Sequence, residues 1–154
     1  MKAAIVHEYL NQYGGAERVV AAISELYPNS PIYTLASDPK VSAHLAGADI
    51  RTSWLQHLYN LFPHLQFWFV LIPIVLRFFK LEKTDVVLSS SSAYIKGLRK
   101  PTGSFHINYC HTPTRFLWND VVYAEGEVTP LLRPFMRIYF SWLRHWDLNA
   151  SKRV

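Results

Sequence analysis

The sequence predicts an α/β protein built on a doubly wound, mostly parallel, Rossmann-like sheet. Short apolar runs bounded by polar residues recur along the chain, as is typical of strands buried on both faces. Segments with apolar residues at helical spacing lie between these runs, and such alternation indicates a parallel sheet. The length of 154 residues corresponds to about one domain, which we take to span 1–154.

The first strand, turn and helix carry the earliest indication of function. An apolar run at 2–7 predicts a strand, a polar loop over 7–13 follows, and apolar residues at helical spacing predict a helix over 16–27. Between loop and helix lies the pair Gly14-Gly15. Backbone N–H groups at a helix N-terminus attract anions, and glycine lets an anion approach them closely. The turn predicts an anionic, nucleotide-type ligand; the alternative is a tight turn that needs glycine for a positive φ.

The rest of the chain continues the alternation of strands and helices. Strands are predicted at 31–35, 49–52, 85–89 and 105–110, and helices after Ser53, after Ser90–Ser92 and over 130–146. We expect Gly97 to close the short helix that follows the serines, because glycine commonly ends helices. Ligands of doubly wound sheets bind beyond the carboxyl ends of the strands, so a site is expected along that rim.

Composition narrows the class of protein. Half of the residues are hydrophobic and only 18% are charged, which excludes a disordered chain. The net charge of +5 suits an anionic partner: nucleic acid, an acidic membrane face or a phosphorylated substrate. No nucleic-acid-binding pattern is visible, so no nucleic acid partner is expected. The single cysteine, Cys110, cannot form an internal disulfide, and no signal peptide precedes the first strand.

An unusual apolar stretch lies in the middle of the chain. No Asp, Glu, Lys or Arg occurs in 52–76, residues 67–76 are wholly apolar, and Arg77, Lys80 and Lys83 follow at once. The alternatives are a membrane-spanning helix, a buried core helix and a helix lying in the interface of an anionic membrane. Polar residues and prolines interrupt the stretch and argue against a spanning helix. The other two alternatives stay open.

The last predicted helix is also unusual. Arg133, Arg137 and Arg144 share one face at helical spacing, and large apolar residues cover the rest. Three arginines on a helix most often form a solvated face. The amount of aromatic surface indicates instead that this helix packs against something further.

His111 is the candidate catalytic residue. It follows the strand at 105–110 and therefore lies on the same rim as the glycine pair. A lone histidine is more often a structural hydrogen-bonding group, but the position favours a functional one. The other histidines lack metal-ligand spacing, so no metal is expected. No nucleophile elbow and no pair of carboxylates with acid–base spacing is present.

Four segments together resemble a known family. They are AIVHEYLNQYGGAERV (4–19), SPIYTLASDP (30–39), VVLSSSSAYIKG (86–97) and YCHTPTRFLW (109–118). In this order they resemble the N-terminal domain of bacterial GT-B glycosyltransferases of the family 4 type, the retaining group 1 enzymes. The most similar members build O-antigen or exopolysaccharide and include mannosyltransferases.

The resemblance implies a fold and an activity. In this family two Rossmann-like domains face each other; the first mainly holds the acceptor, and the second mainly holds the nucleotide-sugar. We expect this chain to be the acceptor-binding domain, with the nucleotide-sugar domain absent from it and supplied in cis or in trans. The reaction would transfer a sugar from a nucleotide-sugar to a lipid-linked glycan acceptor in surface polysaccharide synthesis. No cofactor or metal is implied, because the donor's own phosphate acts as the base, and the isolated chain should not transfer sugar.

The resemblance also implies roles for individual residues. Gly14 and Gly15 would approach the donor diphosphate, and His111 would hydrogen-bond the transferred sugar. The acceptor side would be formed by Glu17, Arg18, Lys96 and Arg115. Membrane contact would be made by Phe67, Trp68, Phe69, Arg77 and Lys80. The chain departs from relatives at Glu8-Tyr9, where Asp-Trp is common, and at Asn119, where Asp is common.

Location and association follow from the same resemblance. The chain is expected in the cytoplasm, peripheral on the inner face of the membrane, and an exposed interdomain face would favour self-association. The alternative function is a non-catalytic Rossmann-like module that binds a membrane or a protein.

Overall fold

The structure, a computed structural model, describes residues 1–45, 47–64, 68–119 and 129–154. The strands are β1 (Ala3–Leu10), β2 (Ile32–Ser37), β3 (Ile50–Thr52), β4 (Val86–Ser91) and β5 (Phe105–Cys110). The helices are α1 (Gly15–Leu26), α2 (Pro39–Ser42), α3 (Leu55–Leu61), α4 (Ile72–Phe78), α5 (Arg115–Trp118) and α6 (Arg133–Ser151). Single 3₁₀ turns lie at Ala43–Leu45, Phe69–Leu71, Ile95–Gly97 and Pro130–Leu132.

The strands pair in parallel in the order β3-β2-β1-β4-β5, which confirms the predicted fold class within the described part of the chain. After β1 the chain moves outward to β2 and β3, then returns to place β4 on the other side of β1. The strand order therefore reverses between β1 and β4. In open α/β sheets such a reversal leaves a crevice at the carboxyl ends of the two strands, where ligands bind.

Two apolar cores cover the two faces of the sheet. The larger core lies under α3, α4 and α6 and includes Val6, Leu55, Leu76, Ile95 and Leu143. The smaller core lies under α1 and α2 and includes Ile5, Leu10, Val20, Ile32 and Val41. At the start of β1 the neighbouring residues Ile5 and Val6 thus point into different cores, so this part of the strand is a continuous apolar run.

Three predicted boundaries are corrected by the structure. The predicted polar loop over 7–13 is wrong in its first part, because β1 continues to Leu10 and both His7 and Glu8 are buried. β4 extends to Ser91 rather than ending at 89. The last helix continues to Ser151. Strand residues that look polar in the sequence are tolerated inside because they find hydrogen-bond partners there.

The helix start at Ser53 is confirmed by its hydrogen bonds. The Ser53 hydroxyl accepts a bond of 3.1 Å from the Leu55 N–H at the start of α3 and donates one of 2.7 Å to the Leu35 carbonyl. The serine thereby satisfies a free N–H of the first helical turn and ties α3 to β2.

Gly97 is the last residue of the short 3₁₀ turn Ile95–Gly97, as predicted, but it does not adopt the left-handed conformation. Positive φ values among the described glycines occur at Gly47 and Gly103 only. A Cβ at Gly97 would lie 2.3 Å from two ring atoms of Trp146. Glycine is needed here because the indole of α6 packs directly on the backbone.

The last part of the apolar stretch forms the 3₁₀ turn Phe69–Leu71 and the start of α4, and α4 is buried on one side. Ile72, Val75 and Leu76 are almost fully buried in the larger core, whereas Ile74 and Phe78 are 51% and 62% exposed. The core-helix interpretation is therefore confirmed for the inner face alone. In the described part of the chain, no helix combines the length and the apolar character that crossing a membrane requires.

The residues predicted to contact a membrane lie around this helix. Trp68 and Phe69 are half-buried, and Arg77 and Lys80 are exposed. Phe67 lies outside the described residues. The Phe69 ring packs edge-on against Tyr139, which joins this segment to α6.

α6 exposes an apolar stripe of its own. Phe135, Ile138 and Trp142 recur at helical spacing and are between 50% and 71% exposed, and Leu131 in the preceding turn is exposed as well. Part of the arginine face is engaged, because the half-buried Arg144 donates a bond of 2.9 Å from Nε to the Leu117 carbonyl.

Candidate functional site

The glycine turn lies at the crevice between β1 and β4, where α1 begins. Gly14 has φ −104° and ψ −158°, an extended conformation open to any residue, and Gly15 also has no positive φ. The alternative of a turn that needs positive φ is therefore wrong. A Cβ at Gly15 would meet no atom within 4 Å. Gly15 thus leaves open space beside the first N–H groups of the helix.

Glu17 places its carboxylate against this turn. Its Oε2 accepts a bond of 2.8 Å from the Gly14 N–H, and its Oε1 lies 3.5 Å from Nε2 of His7. Both side chains are almost fully buried. Burial by itself raises the pKa of the Glu17 carboxyl, but the hydrogen bonds from His7 and from the backbone N–H groups outweigh it and lower the pKa. The predicted anion-binding N–H of Gly14 is thus already occupied by a carboxylate of the protein.

His111 is connected to the same group of residues through β4. Its Nε2 lies 2.7 Å from the Ser90 hydroxyl, and the Ser90 carbonyl accepts a bond of 3.0 Å from Nδ1 of His7. Burial and the nearby His7 lower the pKa of His111, against the opposite influence of Glu8 and Glu17. His111 is therefore a neutral imidazole at neutral pH, able to donate at one nitrogen and accept at the other.

Glu8 occupies a second anion-binding position, which reasoning from the sequence missed. Its carboxylate accepts bonds from the N–H groups of Ser92 at 2.8 Å and Tyr94 at 2.7 Å, and also from Ala93, Ile95 and the Ser91 hydroxyl. The predicted serine cap of the turn after β4 is thus replaced by a glutamate from β1. No local pattern in the sequence marks this position, because Glu8 follows the first apolar run as part of a predicted polar loop.

Lys96 belongs to a buried ion pair. Its Nζ lies 2.8 Å from Oδ1 of Asp147 on α6, and both side chains are less than 10% exposed. The same carboxylate accepts bonds from the Thr114 hydroxyl at 2.8 Å and the Trp118 indole at 3.1 Å. The network fastens α6 to the turn after β4 and to α5. That Lys96 binds the glycan acceptor stays a prediction. Its ammonium group is already paired with the Asp147 carboxylate.

The two predicted arginines lie apart from the buried groups. Arg18 is exposed on α1, with its guanidinium 6.0 Å from the Tyr13 ring centre. Arg115 is exposed at the start of α5, next in sequence to Thr114 of the ion-pair network. The structure brings together Gly14, Glu17 and His111, and places Lys96 and Arg115 on a neighbouring part of the rim.

Tyrosines near the rim are poor acid–base groups. Burial first, then Glu8 and Tyr139, raise the pKa of Tyr9, and burial raises the pKa of Tyr139 to about 12. Among the described residues, the buried Tyr9 hydroxyl has no hydrogen-bond partner. These phenols remain protonated at neutral pH.

These contacts determine which residues on the rim can act as a base or bind a ligand. Both carboxylates, Glu8 and Glu17, are committed to internal hydrogen bonds, so neither is free to act as a general base. Over the described ranges, no three side chains of the metal-binding types come together. At the positive end of α1 the N–H groups of Gly15 and Ala16 have no acceptor within the helix, and the neutral imidazole of His111 lies on the same rim. They can bind an anion beside a hydroxyl-bearing ligand.

The fold defines the class: a doubly wound, Rossmann-like α/β protein in which the strand order reverses between β1 and β4. Comparisons of the chain with models of protein families, with curated proteins and with solved structures find no significant match.

Proposed function

We propose that this chain is the N-terminal, acceptor-binding domain of a retaining GT-B glycosyltransferase, which transfers a sugar from a nucleotide-sugar to a lipid-linked glycan acceptor. The observation that carries the proposal is the meeting of the glycine turn and His111 at one crevice, connected through Ser90 and His7. The glycine turn and His111 lie in the loops after β1 and β5, whereas His7 and Ser90 lie on β1 and β4. The order of the four resembling segments supports the same assignment.

The crevice offers what the donor side of such a reaction needs. A diphosphate would accept hydrogen bonds from the N–H groups of Gly15 and Ala16, and the open space at Gly15 permits its approach. Charge that develops on the leaving phosphate would be stabilised by the positive end of α1. His111 would hydrogen-bond a hydroxyl of the transferred sugar. A second domain would complete the site by holding the nucleotide.

The acceptor side would lie toward Arg115 and an anionic membrane surface on its cytoplasmic face. The exposed face of α4 is apolar at Ile74 and Phe78, and Arg77 and Lys80 follow on the same segment. No Asp or Glu occurs in 52–81, so nothing on this segment repels anionic headgroups. A lipid-linked acceptor would then meet the domain at the membrane.

The donor part of the proposal is tested with inorganic pyrophosphate. In ¹H–¹⁵N spectra, we expect the amides of Gly15 and Ala16 to shift on titration. Gly15→Asp should abolish the shifts because it adds a negative charge at the mouth of the turn. Asn29→Asp is the matched control, since it adds the same charge beyond the other end of α1. Absence of any shift at the turn in the unchanged chain would end the donor assignment.

The acceptor part is tested by flotation with anionic vesicles, with and without a polyprenyl-diphosphate-linked sugar. We expect stronger binding to the vesicles that carry the linked sugar, and a loss of that difference in Arg115→Ala. Arg99→Ala is the matched control, because Arg99 is also exposed. Lys96→Ala is unsuitable, since it would leave Asp147 buried without its partner.

The alternative, a non-catalytic module that binds a membrane or a protein, has an observation of its own. The exposed apolar residues of α4 and α6 form surfaces that do not involve the crevice. Equal binding to vesicles with and without the linked sugar, together with an inert glycine turn, would favour this module.

A further inference from the structure

A continuous chain of polar contacts runs under the crevice from the glycine turn to His111. It starts at the Gly14 N–H, passes through the Glu17 carboxylate and the His7 ring, and reaches Ser90. The Ser90 hydroxyl then lies 2.7 Å from His111. The contacts cross from α1 to β1, to β4 and to the loop after β5. They join two parts of the site, Gly14 and His111, that are separated by about two thirds of the chain.

We infer that Glu17 and His7 are positioning residues that hold the glycine turn and His111 in one fixed arrangement, and that Glu17 is not an acceptor-binding group. This inference rests on the proposed function, because it assigns the pair a task at that same crevice. The resemblance implies that Glu17 binds the glycan acceptor. We assign it instead the internal role of holding the glycine turn and His7.

Burial supports the internal role of Glu17. Its side chain is 6% exposed, and its two oxygens have partners on different elements, the Gly14 N–H on one side and His7 on the other. A glycan acceptor would have to displace one of these buried partners of Glu17 in order to contact its carboxylate. Loss of a partner from a buried charged group is costly, so the existing contacts prevail.

The orientation of the His7 ring is set at both nitrogens. The Ser90 carbonyl can only accept, so Nδ1 of His7 donates to it, and Nε2 is directed at Glu17. The ring therefore cannot rotate without losing both contacts. Since the same serine contacts His111 through its hydroxyl, a displacement of Glu17 is passed on to the imidazole at the far end.

The contacts of Glu17 also limit the repulsion between its negative charge and an anion bound at the positive end of α1. A carboxylate at the first turn of α1 would repel a phosphate unless its charge were balanced. The Gly14 N–H donates to it, and Nε2 of His7, 3.5 Å away, donates to it when the ring carries both protons. The N–H groups of Gly15 and Ala16 are left for a ligand.

Two pairs of variants test the inference. Glu17→Gln keeps an acceptor for the Gly14 N–H, whereas Glu17→Ala removes it. Ser90→Ala removes the hydroxyl that contacts His111 but keeps the carbonyl that holds His7. The controls are Glu25→Gln, an exposed glutamate on the same helix, and Ser24→Ala, whose hydroxyl bonds only within α1. Thermal unfolding establishes which variants fold.

The first readout needs no ligand. In ¹H–¹⁵N spectra of the histidine rings, we expect Glu17→Gln to shift the His7 and His111 signals together, and Glu25→Gln to shift neither. In the Ser90→Ala background, Glu17→Gln should still shift His7 but no longer shift His111. The inference would be overturned if Glu17→Gln left the His111 signal unchanged. It would also be overturned if Glu17→Gln shifted that signal by the same amount in the Ser90→Ala background.

The second readout is the affinity for inorganic pyrophosphate. We expect Glu17→Ala to weaken binding by about tenfold, the factor that corresponds to one lost hydrogen bond to a charged group. Glu17→Gln should retain most of the affinity. Equal affinity in Glu17→Ala and the unchanged chain would overturn the positioning role and leave the proposed function standing. If the unchanged chain does not bind pyrophosphate but the ring signals respond as expected, the proposed function fails and the positioning role stands.

Discussion

The carboxylate of Glu8, on β1, accepts a hydrogen bond of 2.7 Å from the N–H of Tyr94, which lies in the turn after β4. Together with its neighbours this turn directs several N–H groups at a single side chain. A carboxylate in such a position acts as an internal anion that fills the binding position. The turn after β4 is therefore closed to a ligand, whereas at the head of α1 the N–H groups of Gly15 and Ala16 have no acceptor within that helix.

The first prediction concerns this internal anion. Glu8→Ala should lower the free energy of unfolding by about 3 kcal/mol, because it leaves several buried N–H groups without an acceptor. Glu8→Gln should cost less, since its carbonyl still accepts. Urea unfolding measures both. Glu25→Ala, at an exposed position, should stay within about 0.5 kcal/mol of the unchanged chain, and a similar small effect at Glu8 would contradict the assignment.

The second prediction concerns the buried pair of Lys96 and Asp147. Lys96→Met should destabilise the protein by about 3 kcal/mol, because it leaves a buried carboxylate without its cation. Adding Asp147→Asn should restore part of that loss, since the amide oxygen still accepts from Thr114 without carrying a charge. Chemical denaturation of the two single variants and the double variant measures the coupling energy. Additive effects would show that the two groups do not depend on each other.

The third prediction concerns the close packing of Trp146 on Gly97. Gly97→Ala should cost about 1–3 kcal/mol of stability because the new methyl group overlaps the indole. Trp146→Leu in the same chain should relieve the overlap. Gly15→Ala is the matched control, since open space surrounds that position and alanine favours the helix. Thermal unfolding would contradict the packing argument if both glycine variants behaved alike.

The fourth prediction concerns pH. Burial first, then the charge of Lys100, lowers the pKa of His106 to about 4 from 6.5. The unfolded chain therefore binds a proton that the folded protein does not, and stability is lost as the pH falls from about 6.5 to about 4. In His106→Gln this part of the pH dependence should disappear. Urea midpoints across that range measure it, with His145→Gln, an exposed histidine on α6, as the control.

The fifth prediction concerns the apolar stripe on α6. Phe135 and Ile138 are 69% and 71% exposed, so we expect the chain to self-associate as its concentration rises. Ile138→Glu should reduce the association by placing a charge within the stripe. Leu26→Glu, at an equally exposed apolar position on α1, should not. Sedimentation equilibrium decides the matter, and a monomer at all concentrations would contradict the prediction.

Much of the fold could be predicted because its signals are local. The apolar runs of β1 and β4 and the helical spacing of α1 are visible within short windows, so the parallel α/β class followed from them. The carboxyl-end rim also followed, since it depends only on the order of strands and loops. The ends of β1 could not be predicted, because His7 and Glu8 look like loop residues until their distant partners are known.

The sequence by itself determined the fold class, the glycine turn at the head of α1, and the position of His111 on the same rim. Only the tertiary structure decided what the polar residues of that rim do. Glu8 and Tyr94 are 86 positions apart, and His7 and Ser90 are 83 apart. No local pattern encodes such pairs, because a buried hydrogen bond depends on which strands become neighbours. For the same physical reason Gly97 resembled a helix end in the sequence, and only the packing of Trp146 shows why glycine stands there.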